Sequence, residues 1–195
     1  MASRGTLRLI LAGYLGRPPQ SIPLAHGVHG KPVIRFAESQ GVHFSLSRAR
    51  DLCLVAVTEG VKVGVDVEEV RPLDDALTIA KNRFTPAEAA AIDSPESFFA
   101  LWTRKEAVSK CLGWGLSLPF DVFSVAAEPG SGPERVIVEH QGESSTQWIQ
   151  EVPLDQPGFV AAIATEGEEP VGLMARFFGS TDSSTSGAPP TQERV

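Results

Sequence analysis

Two acidic side chains, Asp66 and Glu68, stand two residues apart in a strictly alternating segment and are the strongest candidates for chemistry. Residues 61–68 carry a valine at every second position, with Lys62, Gly64 and the two acids between them. This alternation predicts a strand whose valines face a core, and Gly64 leaves room for a ligand to approach the backbone. Adjacent carboxylates raise each other's pKa unless a cation separates them, and magnesium is held by one or two carboxylates together with phosphate oxygens. The strand therefore indicates a magnesium site, and an exposed, merely polar strand face is the alternative.

A second group of candidates lies on a predicted helix over residues 95–112, which Ser94 can cap and which Gly113 can end. The helix carries Trp102, Glu106 and Lys110 at intervals of four residues, and Lys105 lies beside them. Residues four apart share a helix face, so one carboxylate, two ammonium groups and an indole are predicted to line one site. The alternative is a solvated helix with a Glu106–Lys110 pair on its surface and Trp102 in the core.

The strand and the helix together resemble the phosphopantetheinyl transferases, specifically the surfactin-synthetase type. The acid strand Val-Gly-Val-Asp-Val-Glu is followed some forty residues later by Trp-x-x-Lys-Glu-x-x-x-Lys and a closing Gly-x-Gly. The similarity runs from about Arg4 to about Val125. It implies that the third magnesium ligand, beside Asp66 and Glu68, is Glu106.

The resemblance also implies which residues bind coenzyme A. Lys105 and Lys110 match lysines that bind its phosphates, and Trp102 matches a tryptophan that packs near them. Lys31, in Gly-Lys-Pro, matches a further phosphate-binding lysine. The segment Phe-Ser-Leu-Ser-Arg-Ala stands where the family reads Phe-Asn-x-Ser-His-Ser, so the predicted cofactor contacts there are Ser47 and Arg48. Arg48 replaces a histidine that meets the 3′-phosphate, and a guanidinium is suited to that phosphate.

The segment Thr85-Pro86-Ala87-Glu88 also matches a family motif. It is equally a capping box with proline at the first helical position. For Glu88 we therefore favour a structural role over a catalytic one.

The activity implied is magnesium-dependent transfer of 4′-phosphopantetheine from coenzyme A to a serine hydroxyl of an apo acyl or peptidyl carrier protein, with release of 3′,5′-ADP. Either Glu106 or a magnesium-bound water would activate the serine, because a free hydroxyl is a weak nucleophile. Lys110 would act on the leaving phosphate and Lys105 would hold the phosphates in line. Two alternatives stay open: a truncated homologue that only binds carrier protein or coenzyme A, and a magnesium-dependent nucleotide hydrolase, although a Walker glycine loop is absent.

Members of the resembled family carry a few tens of residues before the segment that begins at Arg4, including strands of the first half. We expect either that the true start lies upstream or that the first half is shortened. A shortened first half predicts an exposed sheet edge, association and weak coenzyme A binding.

The composition of the chain limits the kinds of partner that we expect it to bind. The 195 residues carry a net charge of −7 without a basic run, which argues against a nucleic-acid partner. Carrier proteins are themselves acidic, so docking needs a local basic or apolar patch. The first apolar run has helical spacing and is too short to span a membrane, and two isolated cysteines favour the cytoplasm. We expect a monomer.

The pattern along the chain predicts an α+β fold with antiparallel sheets. The resemblance implies two similar α/β halves related by a pseudo-twofold axis: an incomplete first half over 1–60, a second half over 61–178 and a disordered tail over 179–195. The predicted helices cover residues 74–83, 86–92 and 95–112. Besides the acid strand, the predicted strands are 33–36, 42–46, 52–58, 120–126, 135–140, 147–152, 159–165 and 171–178.

Overall fold

The structure is a computed structural model that describes residues 4–27, 29–35, 39–126 and 132–174. Its α-helices are α1 (Arg4–Leu15), α2 (Ala76–Arg83), α3 (Pro86–Ala90) and α4 (Pro95–Leu112). Its strands are β1 (Leu24–His26), β2 (Pro32–Ile34), β3 (Val42–Ala49), β4 (Leu52–Glu59), β5 (Val63–Glu69), β6 (Glu134–His140), β7 (Glu143–Glu151) and β8 (Phe159–Glu166). The described ranges contain no helix long and apolar enough to cross a membrane.

All strand pairs among the described residues are antiparallel, so the predicted α+β class is confirmed. The largest sheet has four strands in the order β5-β8-β7-β6, while β1 pairs with β2 and β3 pairs with β4 in separate two-stranded sheets. Helix α4 packs on the four-stranded sheet, and the main hydrophobic core lies between them. The β3–β4 hairpin contacts β5, where Ser45 Oγ accepts a hydrogen bond of 3.1 Å from Val65 N.

Helix α4 has the limits that its sequence predicts. Ser94 and Ser97 form a capping box, Pro95 occupies the first turn, and Gly113 ends the helix with a left-handed φ of 82°. Proline fixes a helical φ, and the N–H group that it lacks would have no partner within the helix at that position. Glycine adopts the left-handed conformation without steric cost. The caps therefore fix where the helix begins and ends, and with it the positions of the side chains between them.

Gly64 serves the fold in a different way from the predicted one. A Cβ atom at this position would overlap the carbonyl oxygen of Ala107 and the amide nitrogen of Cys111, both on α4. The missing side chain makes room for the helix backbone to lie directly against β5, whereas the sequence suggested room for a ligand. This close approach brings the inner face of α4 to the acid strand.

Two predicted strands are wrong in the described part of the chain. Residues 120–126 contain a short 3₁₀ turn, Phe120–Val122, and no strand. The carbonyls of Phe120 and Phe123 accept hydrogen bonds from the Lys105 side chain, so this backbone is satisfied without strand pairing. Residues 171–174 form no strand either, and 175–178 lie outside the described residues. Strand β1 was not predicted.

The division into two similar halves stays a prediction. The predicted tail, 179–195, lies outside the described residues.

Candidate active site

Three elements meet at the carboxylate of Asp66. The side chain is 4% exposed, and its Oδ1 accepts hydrogen bonds from Ser47 Oγ at 2.7 Å and from Lys110 Nζ at 2.5 Å. Lys110 Nζ also donates to Ser47 Oγ at 3.0 Å. Ser47 comes from β3, Asp66 from β5 and Lys110 from α4. The structure thus joins three of the predicted site residues in one polar triangle.

The second oxygen of Asp66, Oδ2, is buried and accepts no hydrogen bond within the described part of the chain. Leaving a buried carboxylate oxygen without a partner is costly, because the group has lost its hydration and gained nothing in return. Such an orphaned oxygen is an available ligand for a cation. Asp66 therefore uses one oxygen to hold the site together and leaves the other for a ligand.

Glu68 on β5 and Glu106 on α4 lie within electrostatic reach of Asp66. Burial raises the pKa of Glu68 and of Glu106, and in both the negative charge of Asp66 adds to the rise. The ammonium of Lys110 opposes the rise for both pKa values. The three acids predicted as magnesium ligands thus act on one another, and burial together with their mutual repulsion outweighs the opposing charge of Lys110 and of nearby arginines.

The donor set fits a hard cation. Carboxylate oxygens are the side-chain ligands that magnesium prefers, and it usually takes one or two of them and keeps several waters. No group of three or more His, Cys, Asp or Glu side chains in the described ranges is placed to hold a metal ion, so the three acids do not form a closed metal site as they stand. Burial is the largest cause of the raised pKa values of Glu68 and Glu106, and a bound cation would offset the repulsion from Asp66 and give the orphaned Asp66 Oδ2 a partner.

Two arginines border the acids, and the sequence argument did not identify them. Arg71 Nη1 lies 3.7 Å from Glu68 Oε2, and its guanidinium stacks 4.8 Å from the centre of the Phe99 ring. The charge of Arg83 lowers the pKa of Glu106. Nothing in the spacing of these arginines pointed to the site, since their approach depends on how the segment after β5 folds.

The structure does not bring Lys105 to this site. Its side chain is fully buried on another face of α4, where Nζ pairs with Glu88 Oε2 at 2.8 Å. The same ammonium donates to Phe120 O at 2.6 Å and to Phe123 O, so all three of its protons are used. Burial lowers the pKa of Lys105, and Glu88 partly offsets that effect. The prediction that two ammonium groups line one site is therefore wrong for this structure.

Glu88 has the structural role that we favoured. Its Oε2 accepts a hydrogen bond from Thr85 N at 2.9 Å, and Thr85 Oγ1 accepts one from Glu88 N, which completes the predicted capping box. The other oxygen, Oε1, accepts from Val125 N at 2.7 Å. The sequence showed the cap but not the pairing with Lys105 or the contact with Val125.

Trp102 is placed in an aromatic cluster. Its ring centre lies 5.9 Å from that of Phe98, 6.2 Å from Phe84 and 5.7 Å from Phe120. This arrangement matches the alternative interpretation, in which the indole belongs to the core.

Lys31 also differs from its predicted role in its contacts. Its Nζ donates to Val63 O at 2.8 Å and to Lys110 O at 2.6 Å, and burial lowers its pKa. Lys110 O is among the last carbonyls of α4, which carry partial negative charge and have no partner within the helix. Lys31 therefore fastens the end of α4 to β5. Arg48, next to Ser47 on β3, is exposed and lies opposite Cys53 in the hairpin register.

Comparison with known proteins gives a consistent result. The model of the 4′-phosphopantetheinyl transferase superfamily matches residues 62–164, which contain all three acids and α4. The chain is 36% identical over 176 residues to the 4′-phosphopantetheinyl transferase HetI of Nostoc sp., an alignment that covers 85% of this chain and 70% of the relative. It is 31% identical to a 4′-phosphopantetheinyl transferase of Bacillus pumilus, covering 82% of this chain and 67% of the relative. It is 30% identical to the 4′-phosphopantetheinyl transferase Sfp of Bacillus subtilis, covering 69% and 59%.

Proposed function

Because the chain belongs to the 4′-phosphopantetheinyl transferase superfamily, we propose that it transfers 4′-phosphopantetheine from coenzyme A to a serine hydroxyl of an apo acyl or peptidyl carrier protein. The observation that supports this function is the junction of β3, β5 and α4, where Asp66 is held by Ser47 and Lys110 beside two further acids. The chain spans between about half and 70% of the length of the curated relatives that it matches. The activity of those longer proteins is therefore a proposal for this chain.

The residues proposed to hold magnesium are Asp66, through the orphaned Oδ2, together with Glu68 and Glu106. Bound there, magnesium would neutralise charge on the pyrophosphate oxygens of coenzyme A. The three carboxylates act on one another electrostatically, and a cation bound near Asp66 would relieve that repulsion. Glu69, the next residue of β5, is paired with Arg50 and takes no part.

In the transfer step, the serine oxygen of the carrier attacks the β-phosphorus, and the bond from that phosphorus to 3′,5′-ADP breaks. Glu106 is the proposed acceptor of the serine proton. A positioned carboxylate can take the proton from the hydroxyl as it attacks, which makes the serine a stronger nucleophile. Lys110 is partly exposed, so its ammonium can reach the departing phosphate and stabilise the negative charge there.

Arg48 is the proposed ligand of the 3′-phosphate, because a guanidinium binds phosphate in a two-pronged geometry. It follows Ser47 directly on β3 and is exposed, so a phosphate group can reach it from solvent. The described cysteines are free, in keeping with a reducing compartment, and we propose that the protein works in the cytoplasm as a monomer.

The deciding experiment is mass spectrometry of candidate apo carriers incubated with the protein, coenzyme A and magnesium. We expect the carrier to gain the mass of one phosphopantetheine group on its serine. Two variants test the metal assignment in the same assay. Glu68→Gln removes a proposed magnesium ligand, and Glu69→Gln, which removes one carboxylate from the same strand end, is its matched control. No adduct on fatty-acid, polyketide or peptide-synthetase carriers, from a folded protein that binds coenzyme A, would favour the binding-only alternative.

A further inference from the structure

Lys105 and Glu88 form the most deeply buried ion pair among the described residues, and the proposed reaction uses neither of them. Their side chains are 0% and 4% exposed. Two phenylalanine rings flank the lysine: its Nζ lies 4.3 Å from the ring centre of Phe123 and 6.0 Å from that of Phe84. Coenzyme A cannot reach an ammonium in this position unless the core opens.

The pair ties three pieces of backbone together. Lys105 belongs to α4, Glu88 belongs to α3, and both bind the segment that follows α4: the lysine through Phe120 O and Phe123 O, the glutamate through Val125 N at 2.7 Å. Every donor of the ammonium and both oxygens of the carboxylate are satisfied. A fully satisfied pair of this kind fixes geometry, because any rotation of α4 would break several charged hydrogen bonds at once.

The next residue after Lys105 is Glu106. Consecutive residues on a helix project about 100° apart, so the lysine points away from the acids when Glu106 points toward them. Lys110, four residues after Glu106, shares the face of the glutamate. The rotation that seats Lys105 against Glu88 is thus the same rotation that aims Glu106 and Lys110 at Asp66.

We propose that Lys105 is a positioning residue: its buried pairing with Glu88 sets the rotation of α4 and thereby places Glu106 and Lys110 against the acid strand. This inference rests on the proposed function only for its kinetic part. Gly64 and Lys31 set how close α4 lies to β5 and where it ends, but neither contacts the opposite face of the helix. The Lys105–Glu88 pair constrains that opposite face, next to Arg104 of α4, which binds Ala126 O and Glu134.

The test uses Glu88→Gln, Lys105→Met and the double variant, with Lys81→Met as an exposed-lysine control on α2. Lys105→Met strands a buried carboxylate and is expected to lower the melting temperature most. The double variant removes both charges and keeps an amide oxygen for Val125 N, so it is expected to fold. Coenzyme A affinity is measured by calorimetry without magnesium, magnesium affinity by its stabilising effect, and kcat and KM with a carrier.

We expect Glu88→Gln and the double variant to bind coenzyme A within about twofold of wild type, whereas kcat and magnesium affinity fall about tenfold, since small displacements of reacting groups are costly. A large rise in the coenzyme A dissociation constant in Lys105→Met and the double variant, but not in Glu88→Gln, would overturn the proposal and identify Lys105 as a phosphate ligand. Wild-type kcat and magnesium affinity in the double variant would overturn it too.

A failure of the proposed function would look different. If the wild-type protein transfers nothing, kcat and KM cannot be compared. Amide hydrogen exchange across residues 106–110 still measures how well this part of α4 is held. Positioning predicts faster exchange in these residues in the double variant than in Lys81→Met. Equal exchange there would overturn the proposal whatever the activity.

Discussion

Helix α4 carries two lysine–carboxylate pairs that look alike in the sequence and differ in the structure. The Lys105–Glu88 pair is buried, and each polar atom of it has a partner. In the Lys110–Asp66 pair the lysine side chain is 26% exposed, and Asp66 keeps one buried oxygen without a hydrogen bond. The first arrangement is complete and so can only hold structure, whereas the second is incomplete and can accept a ligand.

The difference follows from what surrounds each pair. Around Lys105 the neighbours are backbone carbonyls and aromatic rings, which complete its hydrogen bonds and exclude water. Around Lys110 the neighbours are three acids that repel one another. A buried ion pair by itself is weak evidence of function or of stability, and the unsatisfied atom beside it is the more informative observation.

The largest expected effect comes from Asp66→Ala, which removes the carboxylate of the incomplete pair. We expect transfer to fall on the order of 10³-fold, because the proposed magnesium site loses its central ligand. Stability should change by only about 1 kcal/mol, since Lys110 is partly exposed and the acids lose a repulsion. The activity and the unfolding of the purified variant are measured together. Turnover near that of wild type would show that the metal assignment is wrong.

The second-largest expected effect concerns how closely α4, which carries both lysines, packs against the acid strand β5. Gly64→Ala places a methyl group into the backbone of α4 at Ala107 and Cys111, which cannot move aside as a side chain can. Overpacking of this kind costs about 1–3 kcal/mol and should displace the helix. Denaturant unfolding measures the loss, and Gly172→Ala is the control, because an added Cβ there meets no atom within 4 Å and, as at Gly64, the backbone φ is not in the left-handed region. A Gly64 variant as stable as wild type would show that α4 does not depend on this contact.

The sequence predicted the site well where local pattern decides the structure. Caps at Ser94 and Gly113 fixed α4, and alternation on β5 placed Asp66 beside Glu68. The predicted family and fold class are confirmed. In these cases the interactions that determine the structure lie within a few residues of each other.

The sequence failed where distant residues decide. Lys105 is adjacent to Glu106, and pattern alone cannot say whether its ammonium meets a phosphate or the carbonyls of Phe120 and Phe123. The same contact explains why residues 120–126 form no strand. The role of Gly64 was misread for a related reason, since a gap in a strand shows that something approaches but not what approaches.

A third prediction separates two cations near the incomplete pair. Lys110→Ala should lower kcat by about 10²-fold with a smaller change in KM for coenzyme A, because its ammonium acts on charge that develops in the transition state. Arg48→Ala should raise KM and leave kcat largely intact, because a 3′-phosphate contact is made equally before and during the reaction. Steady-state kinetics in which both variants change the same parameter would contradict this division of roles.

The smallest expected effect is a pH dependence of stability in the metal-free protein. Glu106 has a raised pKa in the folded protein, so its contribution favours folding below the ordinary glutamate value and is lost as the pH rises through the raised value. Glu106→Gln removes this loss, because the amide carries no charge near Asp66. We therefore expect the variant to melt about 2 °C above wild type at neutral pH and at the wild-type temperature near pH 4. Saturating magnesium should reverse the order at neutral pH, since wild type then gains a cation that the amide binds less well. Thermal unfolding at both pH values, with and without magnesium, measures this, and Glu96→Gln in the first turn of the same helix is the control. If the two glutamine variants behave alike, Glu106 does not share the electrostatic strain of the site, and the contrast between the two ion pairs loses its physical basis.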